Sequence, residues 1–203
     1  MKRVSMCFAA SLALVLGTAG AYAAATGAPA PQFTATDSNG KAHKLSDYTG
    51  KTVILEWNNN QCPYVRKHYD SGNMQKLQAD ATGEGVVWLT VISSAPGTQG
   101  YVTGAEENDI LKQRNARPTA ALLDPEGKVG KAYDAKTTPH MYIVDASQKL
   151  VYQGAIDDKP TTDKDSLNGA KNYVRQAMAE MKSGKPVSEP ETKSYGCSVK
   201  YGS

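Results

Sequence analysis

The chain has 203 residues, 21% of them charged, and a formal net charge of +3. Its basic residues are scattered among acidic ones, with no Lys/Arg-rich block and no interleaved aromatics, which excludes a nucleic-acid-binding surface of the usual electrostatic kind. Cysteine is scarce: Cys7, Cys62 and Cys197 are the three in the chain.

In chain order, the opening "MKRVSMCFAASLALVLGTAGAYA" has a basic start at Lys2 and Arg3, an apolar run over Leu12 to Leu16, and the small-x-small ending Ala21-Tyr22-Ala23. That pattern predicts a secretory signal over residues 1–23, removed to leave a mature chain from Ala24. The apolar run is too short to span a bilayer and no stop-transfer run follows it, so no stable membrane insertion is expected. Cys7 precedes the apolar run, which argues against a lipoprotein anchor. Removal of the signal leaves Cys62 and Cys197, and two thiols in an oxidising compartment invite a pair.

The remaining length suits one domain, predicted over 24–185, followed by a tail over 186–203. A Pro/Ala-rich lead passes into short strands around Asn39-Gly40, a hairpin signal. "TVILEW" reads as an interior strand, and "PYVRKHYDSGNMQKLQAD" as a helix with apolar residues at Val65, Tyr69, Met74 and Leu77, kinked or interrupted at Gly72. "GVVWLTVIS" is a second buried strand. "GAEENDILKQRNA" carries acids in its first turn and bases in its last, as a helix dipole favours. "TAALLDPEGKVGKAYDA" reads as a short strand and a turn, and "HMYIVDASQKLVYQGAID" as a hairpin turning at Asp145 to Gln148. "LNGAKNYVRQAMAEMKSGKPV" is an amphipathic helix stopped by Gly184 and Pro186. The last segment, "SEPETKSYGCSVKY", is polar and aperiodic. Strands alternating with helices before a terminal hairpin predict an α/β fold with one central mixed β-sheet flanked by helices.

Cys62 lies between the interior strand and Pro63, a residue suited to the first position of a helix. A thiol at a helix N-terminus meets unpaired backbone N–H groups, which favour thiolate. Arg66, four residues on, is placed to add positive potential; His68 points elsewhere. The alternative for Cys62 is a small buried apolar thiol. Glu56 interrupts an apolar strand, so its carboxyl is expected to be buried with raised proton affinity, or else to face outward on an edge. Pro139, directly before a strand, reads as an edge device or a cis bend.

An acid in a strand, then a cysteine at a helix, then Thr-Pro and another strand resemble the thioredoxin fold. More narrowly, "APQFTATDSNGKAHKLSDYTGKTVILEW" and "TTPHMYIVDASQKLVYQGAIDD" resemble the redoxin group, which includes the alkyl hydroperoxide reductase and thiol-specific antioxidant proteins. The resemblance implies that Cys62 is the nucleophile and Pro139 a cis-proline facing it. It further implies that Thr138 offers backbone to a substrate strand, with Pro63 and Tyr64 on the substrate-facing side, and that Glu56 handles protons. Two departures stand out. Val65 occupies the place of the second cysteine of a Cys-x-x-Cys site, and Asn59 and Leu55 occupy places where peroxiredoxins carry Thr or Ser and Pro.

A single nucleophilic cysteine needs a resolving thiol, and Cys197 is the candidate. Its Gly-flanked polar tail is expected to move cheaply and fold back onto Cys62, with Tyr195 and Tyr201 near the helix mouth. Three readings follow. The first is an exported thiol–disulfide oxidoreductase, periplasmic or secreted, acting on a disulfide-bearing protein or small thiol and recharged by an external thiol reductant. The second is a thiol peroxidase acting on peroxide. The third is a redox-inert binding module in which Cys62 and Cys197 form a structural disulfide. No cofactor is called for. His140 with Cys62 is too few ligands for a metal site, and His43, His68 and His140 are expected at the surface.

Overall fold

The structure, a computed structural model, describes residues 24–202; the segment read as a secretory signal lies outside them. Its centre is a seven-stranded mixed sheet in the order β2-β1-β5-β4-β3-β7-β8. The strands are β1 (Thr34–Asp37), β2 (Ala42–Lys44), β3 (Val53–Trp57), β4 (Val87–Ile92), β5 (Ala120–Leu123), β7 (His140–Val144) and β8 (Leu150–Gly154). β3, β4 and β5 run parallel, and β7 is antiparallel to β3, with Trp57 opposite His140. β3 and β4 are buried along their whole length, as apolar β-branched runs covered on both faces should be.

Side chains alternate along a strand, so β3 sends Val53, Leu55 and Trp57 to one face and Ile54 and Glu56 to the other. The first face joins Leu89, Val91, Leu122, Tyr133 and Tyr142 under the N-terminal lead at Phe33 and Leu45 and under α4 (Lys128–Ala132). The second joins Trp88, Met141, Ile143 and Tyr152 under α1 (Pro63–Asp70), α2 (Asn73–Gly83) and α5 (Tyr173–Lys182). Val65, Tyr69, Met74 and Leu77 are all buried there. Gly72, with φ 76°, separates α1 from α2. α3 (Gly104–Gln113) begins with a capping box between Thr103 and Glu106. This is the thioredoxin-like α/β arrangement, with the early hairpin β1–β2 extending the sheet.

Three elements were not legible as such. α4 follows the expected turn; five residues are too few to show a helical period, and it is held by the Asp124 carboxylate, which accepts from the amides of Val129 and Gly130 at 3.2 and 2.9 Å. β6 (Thr137–Thr138) and β9 (Cys197–Ser198) form a separate two-stranded sheet. The tail is therefore docked rather than loose. It runs along the edge strand β8, where Gln153 N donates to Pro190 O and Thr192 N to Gln153 O at 3.0 and 3.1 Å, covering a sheet edge that would otherwise be open. Farther on, Ala95 N donates to Lys200 O at 2.8 Å and Tyr201 Oη to Ala135 O at 2.7 Å. The Tyr201 ring sits against Gly130 so closely that a Cβ there would lie 2.4 Å from its hydroxyl. Tyr201 thus anchors at α4, not at the helix mouth.

The three histidines are buried, not at the surface. His43 bonds Asp37 at 2.8 Å and the Tyr48 hydroxyl. His68 and His140 are pushed down to about 3 and about 4, chiefly by burial. Both stay neutral in the fold while the unfolded chain takes up protons, so their contribution is present above pH 6.5 and is lost as pH falls towards 3–4. Glu107 acts in the opposite sense. Burial raises its carboxyl to about 7, against the pull of Arg114, so its contribution is present below pH 4.5 and is lost as pH rises through 7. Glu107→Gln should therefore stabilise the protein by about 2 kcal/mol at pH 8 and hardly at all at pH 4, as read from paired denaturant melts.

Candidate functional site

β3 leaves the sheet at Trp57 and enters Asn58-Asn59-Asn60-Gln61, whose side chains take over from the strand ladder. Asn59 Oδ1 accepts from Gln61 N at 2.9 Å, and its amide donates to Gln99 O at 3.2 Å; such Asx turns reverse a chain locally. Arg114 Nη2 ties down Asn60 O at 2.7 Å. The loop delivers Cys62 to the N-cap of α1 in extended conformation, with Pro63 at the first helical position. Facing it, the Thr138–Pro139 peptide bond is cis, and Cys62 Sγ donates to Thr138 O at 3.1 Å.

The tail closes this corner. β9 lies antiparallel to β6 with Cys197 opposite Thr138, which packs Cys197 against the buried cluster that holds Cys62. Both are free cysteines. Gly196 makes the approach possible: at φ 130° it lies so near β6 that a Cβ would stand 2.0 Å from Thr138 O. With the tail in place Cys62 has no exposed surface, 0%. Burial pushes its thiol up. Hydrogen bonding from the Cys197 thiol, the amides of Val65 and Cys197, and Thr138 outweighs that and holds it below the ordinary cysteine range. Burial and the adjacent Cys62 push Cys197 up to about 12. One sulfur is thus set to ionise first while its neighbour keeps the proton.

The other expected site residues are not all at this corner. Thr138 and Pro139 are buried against Cys62, Pro63 is exposed, and Tyr64 is half-buried with its ring 5.9 Å from that of Tyr195. Arg66 is 60% exposed and pairs with Asp70 at 3.9 Å; it lies on the outer face of α1. Glu56 is wholly buried on the face that α1 covers, not outward on an edge. Burial raises its carboxyl despite donors from Trp88, Tyr69, Asn58 and Gln78. Trp88 Nε1 and Tyr69 Oη reach it at 2.9 and 2.8 Å, and no bond joins it to Cys62. The carboxyl therefore knits β3, β4, α1 and α2 beneath the site. His140 bonds Tyr142 Oη at 3.0 Å and Lys136 N at 3.3 Å rather than approaching Cys62. Among the described residues no group of three His, Cys, Asp or Glu side chains is arranged to hold a metal ion. Sequence reasoning missed Lys67, Asp157 and His68 as partners of Tyr195, because buried charge carries no signature in a single helical turn.

An ionisable thiol at a helix mouth, closed over by a second thiol beside a cis-proline, belongs on an oxidoreductase of thioredoxin-like fold. Residues 25–171 match the model of the Redoxin family, and the chain belongs to that family. It is similar to the thiol-disulfide oxidoreductase ResA of Geobacillus kaustophilus, 31% identical over 118 residues that span 53% of this chain and 68% of the relative. To ResA of Bacillus subtilis it is 29% identical over 134 residues, 61% of this chain and 75% of the relative. The solved structure of a conserved protein from Geobacillus kaustophilus superposes with a TM-score of 0.76 at 27% identity, covering 88% of this chain and 93% of that one. The family match ends at residue 171, so Cys197 lies beyond it.

Proposed function

We propose that the protein exchanges disulfides at Cys62 and that Cys197 resolves the product. The β6–β9 pairing, which sets Cys197 opposite Thr138 and against the cluster that holds Cys62, carries this reading. The Cys62 thiolate attacks a substrate disulfide and expels one thiolate, leaving a mixed disulfide at Cys62. Once Cys62 is bonded it no longer bears the charge that, together with burial, held the proton on Cys197, and lifting of the tail relieves the burial. Cys197 then ionises and attacks the Cys62 sulfur, expelling the second substrate thiolate. The substrate gains two electrons and the protein ends as a Cys62–Cys197 disulfide, which an external thiol reductant returns to two thiols. Thr138 and Pro139 would face the substrate, and the docked tail must lift for a substrate to reach the sulfur.

Disulfide exchange is favoured over peroxide reduction because the groups available to aid a leaving hydroxide are engaged elsewhere: Asn59 with Gln99 and Gln61, Arg66 with Asp70. Export to the periplasm or medium is part of the proposal, supported by the basic, apolar and small-x-small pattern of residues 1–23. No helix among the described residues is long and apolar enough to cross a membrane.

The test is a redox titration with peptide mapping. A cycling pair should form a Cys62–Cys197 bond with glutathione disulfide at a potential above about −300 mV. A lower potential would identify a permanent staple, and absence of the bond would remove the resolving role.

A further inference from the structure

On the flank of α1, one turn and more beyond Cys62, the chain buries three titratable side chains. Lys67 and His68 have no exposed side-chain surface, and Asp157, just past β8, has 1%. Lys67 Nζ donates to Lys159 O at 2.8 Å and lies 3.9 Å from Asp157 Oδ2. His68 Nδ1 accepts from the Asn73 amide at 2.8 Å, which places its proton on Nε2, 3.9 Å from the same carboxylate oxygen. The tail enters this cluster through one residue. The Tyr195 hydroxyl donates to Asp157 Oδ1 and lies 3.4 Å from both Lys67 Nζ and His68 Nε2, and the Lys67 ammonium sits 5.3 Å from the Tyr195 ring centre.

Burying such groups is costly, and apolar residues of the same volume would hold the helix at least as well. Their use here calls for a return in specificity. The pairing of β6 with β9 covers two residues and is continued on one side by the bond from Val199 N to Lys136 O at 3.0 Å. On the Tyr195 side no backbone ladder among the described residues continues it, and a slip of one residue would turn Cys197 away from Cys62. Tyr195 stands two residues before Cys197, separated only by Gly196. Its hydroxyl meets all three partners at once.

We propose that Tyr195, seated in the Lys67–His68–Asp157 cluster, is a positioning residue for the resolving step, setting the register that aims Cys197 at Cys62. The inference rests on the reading of Cys197 as resolving thiol. Thr192 and Tyr201 anchor the tail independently on either side, so loss of the Tyr195 hydroxyl loosens the register at Cys197 without releasing the strap.

Tyr195→Phe keeps the ring against Tyr64 and removes only the hydroxyl. With glutathione disulfide, Cys62 forms a mixed disulfide and releases one glutathione; Cys197 then displaces the second, which leaves as thiolate and takes up a proton. The second step should slow about tenfold in Tyr195→Phe. The first, read in a Cys197→Ser background, should change less than about twofold. Asp157→Asn retains an acceptor for the hydroxyl and should close faster than Asp157→Leu, a rescue that general loosening would not produce. Closure at the wild-type rate in Tyr195→Phe, or equal rates in the two Asp157 variants, overturns the inference while leaving the resolving role intact. A wild-type protein that forms no Cys62–Cys197 bond overturns both. Should Tyr195→Phe fail to fold, the Asp157 pair decides.

Discussion

In Cys197→Ser, mixed disulfides at Cys62 are expected to accumulate to one per chain, and turnover against a model disulfide to fall by at least about a hundredfold. The magnitude follows from replacing an attacking sulfur already held against Cys62 by thiols that must arrive from solution. Serine can still donate a hydrogen bond to the Cys62 thiolate, so the pH profile for alkylation of Cys62 should stay close to wild type. Cys197→Ala removes that donor, and its profile should move upward, because a hydrogen bond to the charged form is one of the forces holding the thiol down. Mass spectrometry of the trapped adducts and the two alkylation profiles check both halves. Wild-type turnover in Cys197→Ser would show that resolution happens elsewhere. In cell extract, the adducts trapped on Cys62 would name the substrate.

A larger side chain at Gly196 should open the site without touching either thiol. A Cβ there would meet Thr138 O at 2.0 Å, and the φ of 130° is one that L side chains rarely adopt. Gly196→Val is expected to lift β9 from β6 and to raise the rate of Cys62 alkylation by about tenfold or more, from the strain that such a backbone would store if it stayed docked. Hydrogen exchange should rise at Cys197 and Ser198 and remain low in β3 and β4. The same variant should resolve mixed disulfides slowly, since the lifted strand no longer presents Cys197. Gly196→Ala should act in the same direction. Unchanged protection of Cys62 in Gly196→Val would mean that the tail is not what covers it.

These two variants separate the roles that the tail combines. In the proposed cycle Cys197 supplies the resolving sulfur, and Gly196 permits the close approach of β9 to β6 that brings it into place. β6 and its cis-proline corner are occupied by the chain's own strand, in the place where the family resemblance sets a substrate. A substrate that pairs with β6 must therefore compete with β9, and in the proposed cycle this competition sets the order of events: release of the strap, attack by Cys62, return of the strap, attack by Cys197.

Local sequence determined the parts of this protein whose causes are local. Val53–Trp57 and Val87–Ile92 are apolar enough to be interior strands wherever they are put, Asn39-Gly40 turns the first hairpin, Gly72 splits a helix, and Pro63 starts one at Cys62. At Pro139 the residue by itself allowed an edge device or a cis bend, the family resemblance implied the second, and the bond is cis. What only the tertiary structure decided depends on partners distant along the chain. The tail looked loose because its hydrogen bonds go to Gln153, Lys136, Ala95 and Ala135, and bonds of that kind impose no period on the segment that makes them. The histidines looked superficial because a polar ring is cheap to expose; they are buried because Asp37, Asn73 and Tyr142 meet their nitrogens. Arg66 shares a helical repeat with Cys62 but turns to Asp70, while Lys67 and His68, one and two residues on, face inward to Asp157 and Tyr195. Spacing along a helix specifies which residues share a face; which face meets the rest of the molecule is settled by packing.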